Sequence, residues 1–268
     1  MIERHVLMAG CLARTPFRVL VEAAGKTDFE GITIWPSMWR HALVKEGLSL
    51  RDIRALLDNA GLQLEQVEAI RDWPPKDDSL AVCAELGARF VVAMRMDCSS
   101  IDLAREADLF GKFAERCNAF GVRPAIEFVA FSGIPDAATA WAIIQQSDSD
   151  KAGIVVDLCH HVRGGGSDEA LFAIPPERIV SIQLADGPAQ APADLADEAA
   201  NGRLWPGEGD FNVAHFVQKL HDAGVRASGG IELYRPDFLL HKPIDVIRRL
   251  EAEGRPFTGR STANQPVI

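Results

Sequence analysis

The sequence predicts a single-domain α/β protein, a (β/α)8 barrel. Three observations lead there. Eight short apolar runs alternate with longer stretches of helical periodicity. The runs are nearly continuous in apolar and β-branched residues, as strands covered on both faces of a parallel sheet must be. The 268-residue chain also lacks a Pro-, Gly- or Ser-rich linker that would divide it, and α/β barrels of about 250 residues are commonly one domain.

The first two runs are His5–Ala9 and Gly31–Trp35. A helix is expected over Leu48–Ala60, with Ser49 as its cap and Gly61 just past its end. The third run, Gln66–Ile70, leads to a helix over Ser79–Gly87, and the fourth, Phe90–Met94, to one over Asp102–Gly121. The next three are Arg123–Phe128, Gly153–Asp157 and Ile179–Leu184. The longest irregular piece, Asp186–Asp210, follows; a loop of that length in a compact domain is usually functional, and a lid over the site is one such role. A helix over Phe211–Gly224 then reaches the eighth run, Gly229–Leu233. The barrel is expected to occupy residues 1–254, with 255–268 a poorly ordered tail or an oligomer arm. An open doubly wound sheet is the competing arrangement; eight repeats argue for closure.

The composition is that of a protein with a sizeable core: 47% apolar and 25% charged residues, with no stretch long enough to cross a bilayer. A net charge of −10 argues against binding the phosphate backbone of nucleic acid. Five cysteines, Cys11, Cys83, Cys98, Cys117 and Cys159, are widely spaced with no CxxC, so a reducing cytoplasm is expected rather than a disulfide framework. The expected partner is a small-molecule substrate, without nucleic acid or membrane; a homodimer or homotetramer is possible for this fold.

In such a barrel the C-terminal ends of the strands face the active site, so a polar residue there points to chemistry. Four successive late strands each end in one: Glu127, Asp157, Gln183 and Glu232. Any one alone is better read as a strand-end cap, but four in succession are not. Three carboxylates converging in a partly dehydrated mouth need a cation to stay ionised. Three carboxylates and one amide oxygen are hard donors, suited to Mn²⁺ or Mg²⁺, with Co²⁺ also compatible. His160, three residues after Asp157, leaves the strand where it can meet substrate or support Asp157; His161 reads as a residue without a role there, and Cys159 as packing.

These residues resemble the xylose-isomerase-like barrel superfamily: Glu on strand five, Asp-x-x-His after strand six, Gln or His on strand seven, Glu on strand eight. The segment Pro206-Gly-Glu-Gly-Asp210 is similar to the family's Pro-Gly-x-Gly turn, and Arg203 to a basic residue often found before it. The likeness spans roughly residues 5–250. It implies that Glu127, Asp157, Gln183 and Glu232 bind one divalent metal, Mn²⁺ foremost. Gln at strand seven is closest to the hydroxypyruvate isomerase branch. It further implies an isomerase or epimerase of a small hydroxy-ketone or sugar working through a cis-enediolate, with Glu127 and Glu232 as the acid/base pair and His160 on the substrate. A lyase dehydrating a cyclic polyol or a 3-dehydroshikimate-like acid is the main alternative, and a non-catalytic ligand-binding barrel the second. The superfamily's endonuclease-IV-type phosphodiesterases share Asp-x-Cys-His but need many more histidines than this chain supplies.

The early strands suggest what the substrate meets. Trp35, Trp39, Trp73, Met94 and Met96 form an apolar wall, able to stack on a ring. Arg95 is a candidate clamp for a carboxylate or phosphate, and Arg203 and Arg235 are further substrate-binding candidates. Gly164–Gly166 is a flexible run near the site but not a phosphate loop, since no Gly-Lys-Ser/Thr follows.

Overall fold

The computed structural model describes residues 1–71, 73–75, 77–97 and 100–259. Eight parallel strands close into a barrel in sequence order, β1 Arg4–Met8, β2 Gly31–Ile34, β3 Gln63–Ile70, β4 Phe90–Met94, β5 Arg123–Glu127, β6 Gly153–Asp157, β7 Ile179–Leu184 and β8 Ser228–Ile231. β8 pairs back onto β1 through Arg4↔Ser228 and His5↔Gly229, which closes the sheet and removes its edges.

Local chemistry sets the helix ends where the sequence places them. The helix at Leu50–Asn59 starts on Ser49, whose hydroxyl accepts from the Asp52 backbone N–H, while Asp52 accepts from the Ser49 backbone in return. Gly87, after the helix Ser79–Leu86, is left-handed at φ 75°, where a Cβ would be strained. β2 stops at Ile34, one residue before the expected end, because Pro36 begins the next helix, Pro36–Lys45, and Trp35 becomes its extended cap. β8 stops at Ile231, so Glu232 sits just beyond the strand.

β3 departs most from expectation. It begins at Gln63 and carries two register shifts, one against β2 between Ile32 and Thr33 and one against β4 between Val67 and Ile70. The second coincides with Ala69, which takes φ 62°. An extra residue in one strand re-aims its neighbours, and here the re-aimed neighbour is Glu68.

Side chains two residues apart share a strand face. Ala125 and Val155 belong to a small apolar cluster with Phe90, Val92 and Val180, and lie on the faces that carry Glu127 and Asp157. Gln66 Nε2 donates to Ser181 Oγ (3.2 Å), a contact between β3 and β7 that can run only through the barrel interior. Apolar residues thus share the interior with a polar layer. The large hydrophobic core lies outside, between the strands and the helix ring, around Phe17, Phe110, Phe113 and Phe128.

The loop after β7 is anchored at both ends. Asp186 is buried, accepts the backbone N–H groups of Gly187, Gly207 and Phe211, and pairs antiparallel with Leu204. A short helix, Leu195–Asp197, and a π-turn, Glu198–Gly202, fill the middle. The chain stays packed past residue 254: Arg255–Phe257 forms a 3₁₀ turn, Arg255 pairs with Glu251 and Asp28, and Thr258 bridges to Ile2. Residues 260–268 of the expected tail, and Cys98, lie outside the described residues. The other four cysteines are buried free thiols, and no helix of the described residues is long and apolar enough to cross a membrane.

Candidate active site

The four strand-end residues meet at the mouth of the barrel, all nearly solvent-free: Glu127 4%, Asp157 0%, Gln183 1% and Glu232 2% exposed. β6 and β7 are in register at Asp157 and Gln183. Glu127, Asp157 and His160 each offer a ligand atom, all within 4.8 Å of one another. Glu232 lies outside that trio. Its Oε1 accepts from Tyr234 Oη (2.7 Å) and Gln183 Nε2 (3.3 Å), and its Oε2 from Arg203 Nη1 (3.2 Å).

Arg203 is the cation at the centre of this group. Its Nη1 also donates to Asp157 Oδ2 (2.6 Å) and to the Glu232 carbonyl (3.1 Å), its Nε to the Ala199 carbonyl, and its guanidinium lies 5.2 Å from the centre of the Tyr234 ring. A buried guanidinium between two carboxylates offsets part of their charge. The π-turn delivers it, held in turn by a buried ion pair between Arg163 and Glu198.

Two residues of the site escaped the sequence reading. Glu68, on the shifted part of β3, is buried with Oε1 accepting from Gln66 Nε2 (2.8 Å) and Gln183 Nε2 (3.2 Å), and Oε2 from Trp35 Nε1 (3.2 Å). Tyr234 lies two residues beyond Glu232 and bonds to it. A signal for Glu68 was present: Gln66 and Glu68 stand two apart in the run Gln66–Ile70, whose other residues are apolar.

Burial dominates the electrostatics. It pushes Glu68 up to about 7. Burial, then the charges of Glu232, Glu68 and Asp157, holds Glu127 well above the usual carboxylate range, and burial does the same to Glu232 against the pull of Arg203. Burial also acts to raise Asp157, but Arg203 and His160 outweigh it and keep it low. His160, pushed down to about 4 by burial, is a neutral imidazole at neutral pH. The site thus sets carboxyls whose pKa burial raises beside one that Arg203 and His160 hold low.

A cavity of about 310 Å³ opens above these groups, lined by Glu68, Glu127, His160, Arg203, Glu232 and Tyr234, with Trp35, Met94 and Met96 in its wall. Gly10 lets Trp35 in: a Cβ there would lie 2.8 Å from the indole. Ala196, Ala199 and Ala200 of the loop after β7 close one side. Of the candidate substrate-binding residues, Trp35 and Arg203 line this cavity, while Arg95 and Arg235 do not. Arg95 pairs with Glu106 and lies over Trp73, and Arg235 pairs with Asp237. Arg71 lines the mouth instead and has no ion-pair partner among the described residues. His161 points outward to Asp168.

The donor set fits a divalent cation. Two carboxylates and a neutral imidazole converge, Glu232 shares Arg203 with one of them, and the buried Gln183 Oε1 has no hydrogen-bond partner among the described residues. An unpartnered buried amide oxygen is free to serve as a hard ligand atom for a cation.

Known proteins share this fold. Residues 21–250 match the family described as xylose isomerase-like TIM barrel. A 3-dehydroshikimate dehydratase of Pseudomonas aeruginosa is 25% identical over 237 residues, 81% of this chain but only 36% of that longer protein. An inosose isomerase of Bacillus licheniformis is 26% identical over 179 residues, 63% of this chain and 62% of that one. The solved structure of the IOLI protein with a bound zinc atom superposes with a TM-score of 0.81 at 18% identity, over 93% of this chain and 96% of that one.

Proposed function

This chain belongs to the xylose isomerase-like TIM barrel family, and from its site we propose that it is a divalent-metal-dependent isomerase or epimerase of a small cyclic hydroxy-ketone. The observation that carries the proposal is the pair Glu127 and Glu232, both buried, both raised in pKa and both lining one cavity with a neutral His160. Glu127, Asp157, Gln183 and Glu232 would hold the metal, with His160 within reach. Hard oxygen donors favour Mn²⁺, and a protein of the same fold, the IOLI protein, was solved with a bound zinc atom. A bound divalent ion would polarise the substrate carbonyl.

The residues do the rest. Glu127 and Glu232 line the same cavity, and one would take a proton from the carbon beside the carbonyl while the other supplies one. Return of a proton from the partner to the neighbouring carbon, or to the opposite face, completes isomerisation or epimerisation. His160 holds a substrate hydroxyl, Trp35 covers the ring, and Arg203 keeps Asp157 ionised. Both substrates named for the relatives, inosose and 3-dehydroshikimate, carry a ketone on a hydroxylated six-membered ring.

A second reading is dehydration of a ring that also bears a carboxylate. Arg71 at the mouth favours it, as does the dehydratase relative. Incubation of the Mn²⁺-loaded protein with inososes and cyclic hydroxy-acids in D₂O separates the two. Deuterium in recovered substrate or product, lost by about 10²–10⁴-fold in Glu127→Gln and Glu232→Gln, supports the first reading. An unsaturated, ultraviolet-absorbing product supports the second. Protein that takes up metal, yet exchanges no proton and forms no product with any of these compounds, defeats both.

A further inference from the structure

We infer that Glu68 is a positioning residue that locks the Gln183 amide with its oxygen free for the metal. The inference rests on the metal reading above and concerns how the strand-seven ligand is oriented. An amide ligand can turn over: its two ends are nearly the same size, and only the oxygen binds a cation. Something must decide which end faces the site.

The hydrogen bonds around Gln183 decide it. Its Nε2 lies 3.2 Å from Glu68 Oε1 and 3.3 Å from Glu232 Oε1, so the donor end is claimed by two carboxylate oxygens. The Oε1, at the other end of the amide, is buried without a partner among the described residues. Glu232 alone is a poor lock, because Arg203, Tyr234 and the metal all compete for it. Glu68 is better held. Trp35 Nε1, which can only donate, takes its Oε2, and Gln66 Nε2 shares its Oε1. The register shift beside Ala69 brings this carboxylate across from β3 to β7. It meets the donor end of the amide, as a residue that orients a ligand does.

Glu68→Gln is the isosteric test. In that variant Trp35 Nε1 claims the new amide oxygen. The new NH₂ then faces Gln183 Nε2, donor against donor, and Gln183 turns its own oxygen toward position 68, away from the metal. A double-mutant cycle separates this from loss of charge. Mn²⁺ dissociation constants are measured by calorimetry and electron paramagnetic resonance for the full chain, Glu68→Gln, Gln183→Glu and the double variant, with circular dichroism to check folding. Glu68→Gln is expected to weaken Mn²⁺ by about 10–100-fold in the native background and to change the Mn²⁺ spectrum. In the Gln183→Glu background, where either carboxylate oxygen serves as ligand, it is expected to cost nothing. Glu68→Asp, which keeps the charge but withdraws the acceptor, is expected to weaken binding as well. An equal loss in both backgrounds, or native affinity in Glu68→Asp, would reduce Glu68 to a bulk charge and overturn the inference while leaving the metal site standing. Failure of the native chain to bind Mn²⁺ would overturn the metal reading and this inference together.

Discussion

Arg203→Met tests the charge balance at the site. Arg203 is 2% exposed and donates to Asp157 at 2.6 Å and to Glu232 at 3.2 Å. Methionine fills much of the same volume and removes the cation, leaving two buried carboxylates without a counter-charge. Removing one partner of a buried ion pair typically costs about 3–5 kcal/mol, and for a domain of this size each kcal/mol moves Tm by about 2–4 °C. The metal-free variant is therefore expected to melt roughly 6–20 °C below the native protein at pH 8. The deficit is expected to shrink at pH 5. Asp157 is held low chiefly by Arg203, so without that cation it binds a proton more readily and sheds the uncompensated charge. Saturating Mn²⁺ is expected to narrow the gap too, since the metal supplies the missing positive charge. Thermal denaturation followed by circular dichroism, with chelator and with Mn²⁺, at both pH values, makes the measurement. A metal-free variant within about 2 °C of the native protein at pH 8, or a deficit unchanged at pH 5, would refute the assignment of Arg203 as internal counter-ion.

Other outcomes follow from the same geometry. Glu127 and Glu232 are raised by burial, so metal uptake must displace protons; Mn²⁺ affinity is expected to rise from pH 5 to pH 8, with a binding enthalpy that varies with buffer ionisation. Burial lifts Glu68 from 4.5 to about 7, so the folded metal-free protein keeps a proton that the unfolded chain loses in that window. Its stabilising contribution is complete below 4.5 and lost as pH rises through 7, about 3 kcal/mol in all, measured as the divergence of native and Glu68→Gln urea unfolding curves across that range. Ala69→Gly relieves a left-handed residue worth about 1–2 kcal/mol and gives back roughly 0.5–1 in chain entropy, so urea unfolding is expected to show a small net gain; a loss would mean that the alanine methyl packs more than it strains. Arg95→Ala is expected to leave KM unchanged because Arg95 is committed to Glu106 outside the cavity, whereas Arg71→Ala is expected to raise KM for a carboxylated substrate.

What the sequence determined by itself was whatever depends on near neighbours in the chain. Continuous β-branched runs predict buried parallel strands, and Ser49 and Gly87 mark helix ends through bonds and dihedrals that span only a few residues. The last polar residue of each late strand predicts a mouth-facing group because side-chain direction alternates along any strand. Glu127, Asp157, Gln183 and Glu232 were legible in this way, and the barrel brings them together. Tertiary structure alone decided which way the cations face and which carboxylate was missing from the set. Arg95, Arg235 and Arg203 were all candidates to bind substrate, Arg203 also by its place before the Pro206-Gly-Glu-Gly turn, yet two are taken by acids outside the cavity and only Arg203 of the three is carried inward by a π-turn. Glu68 joins the site because a register shift in β3 turns it toward a glutamine more than a hundred residues away. Ion pairing and amide orientation are contests among all nearby donors and acceptors, and which groups are nearby is settled only when the barrel closes.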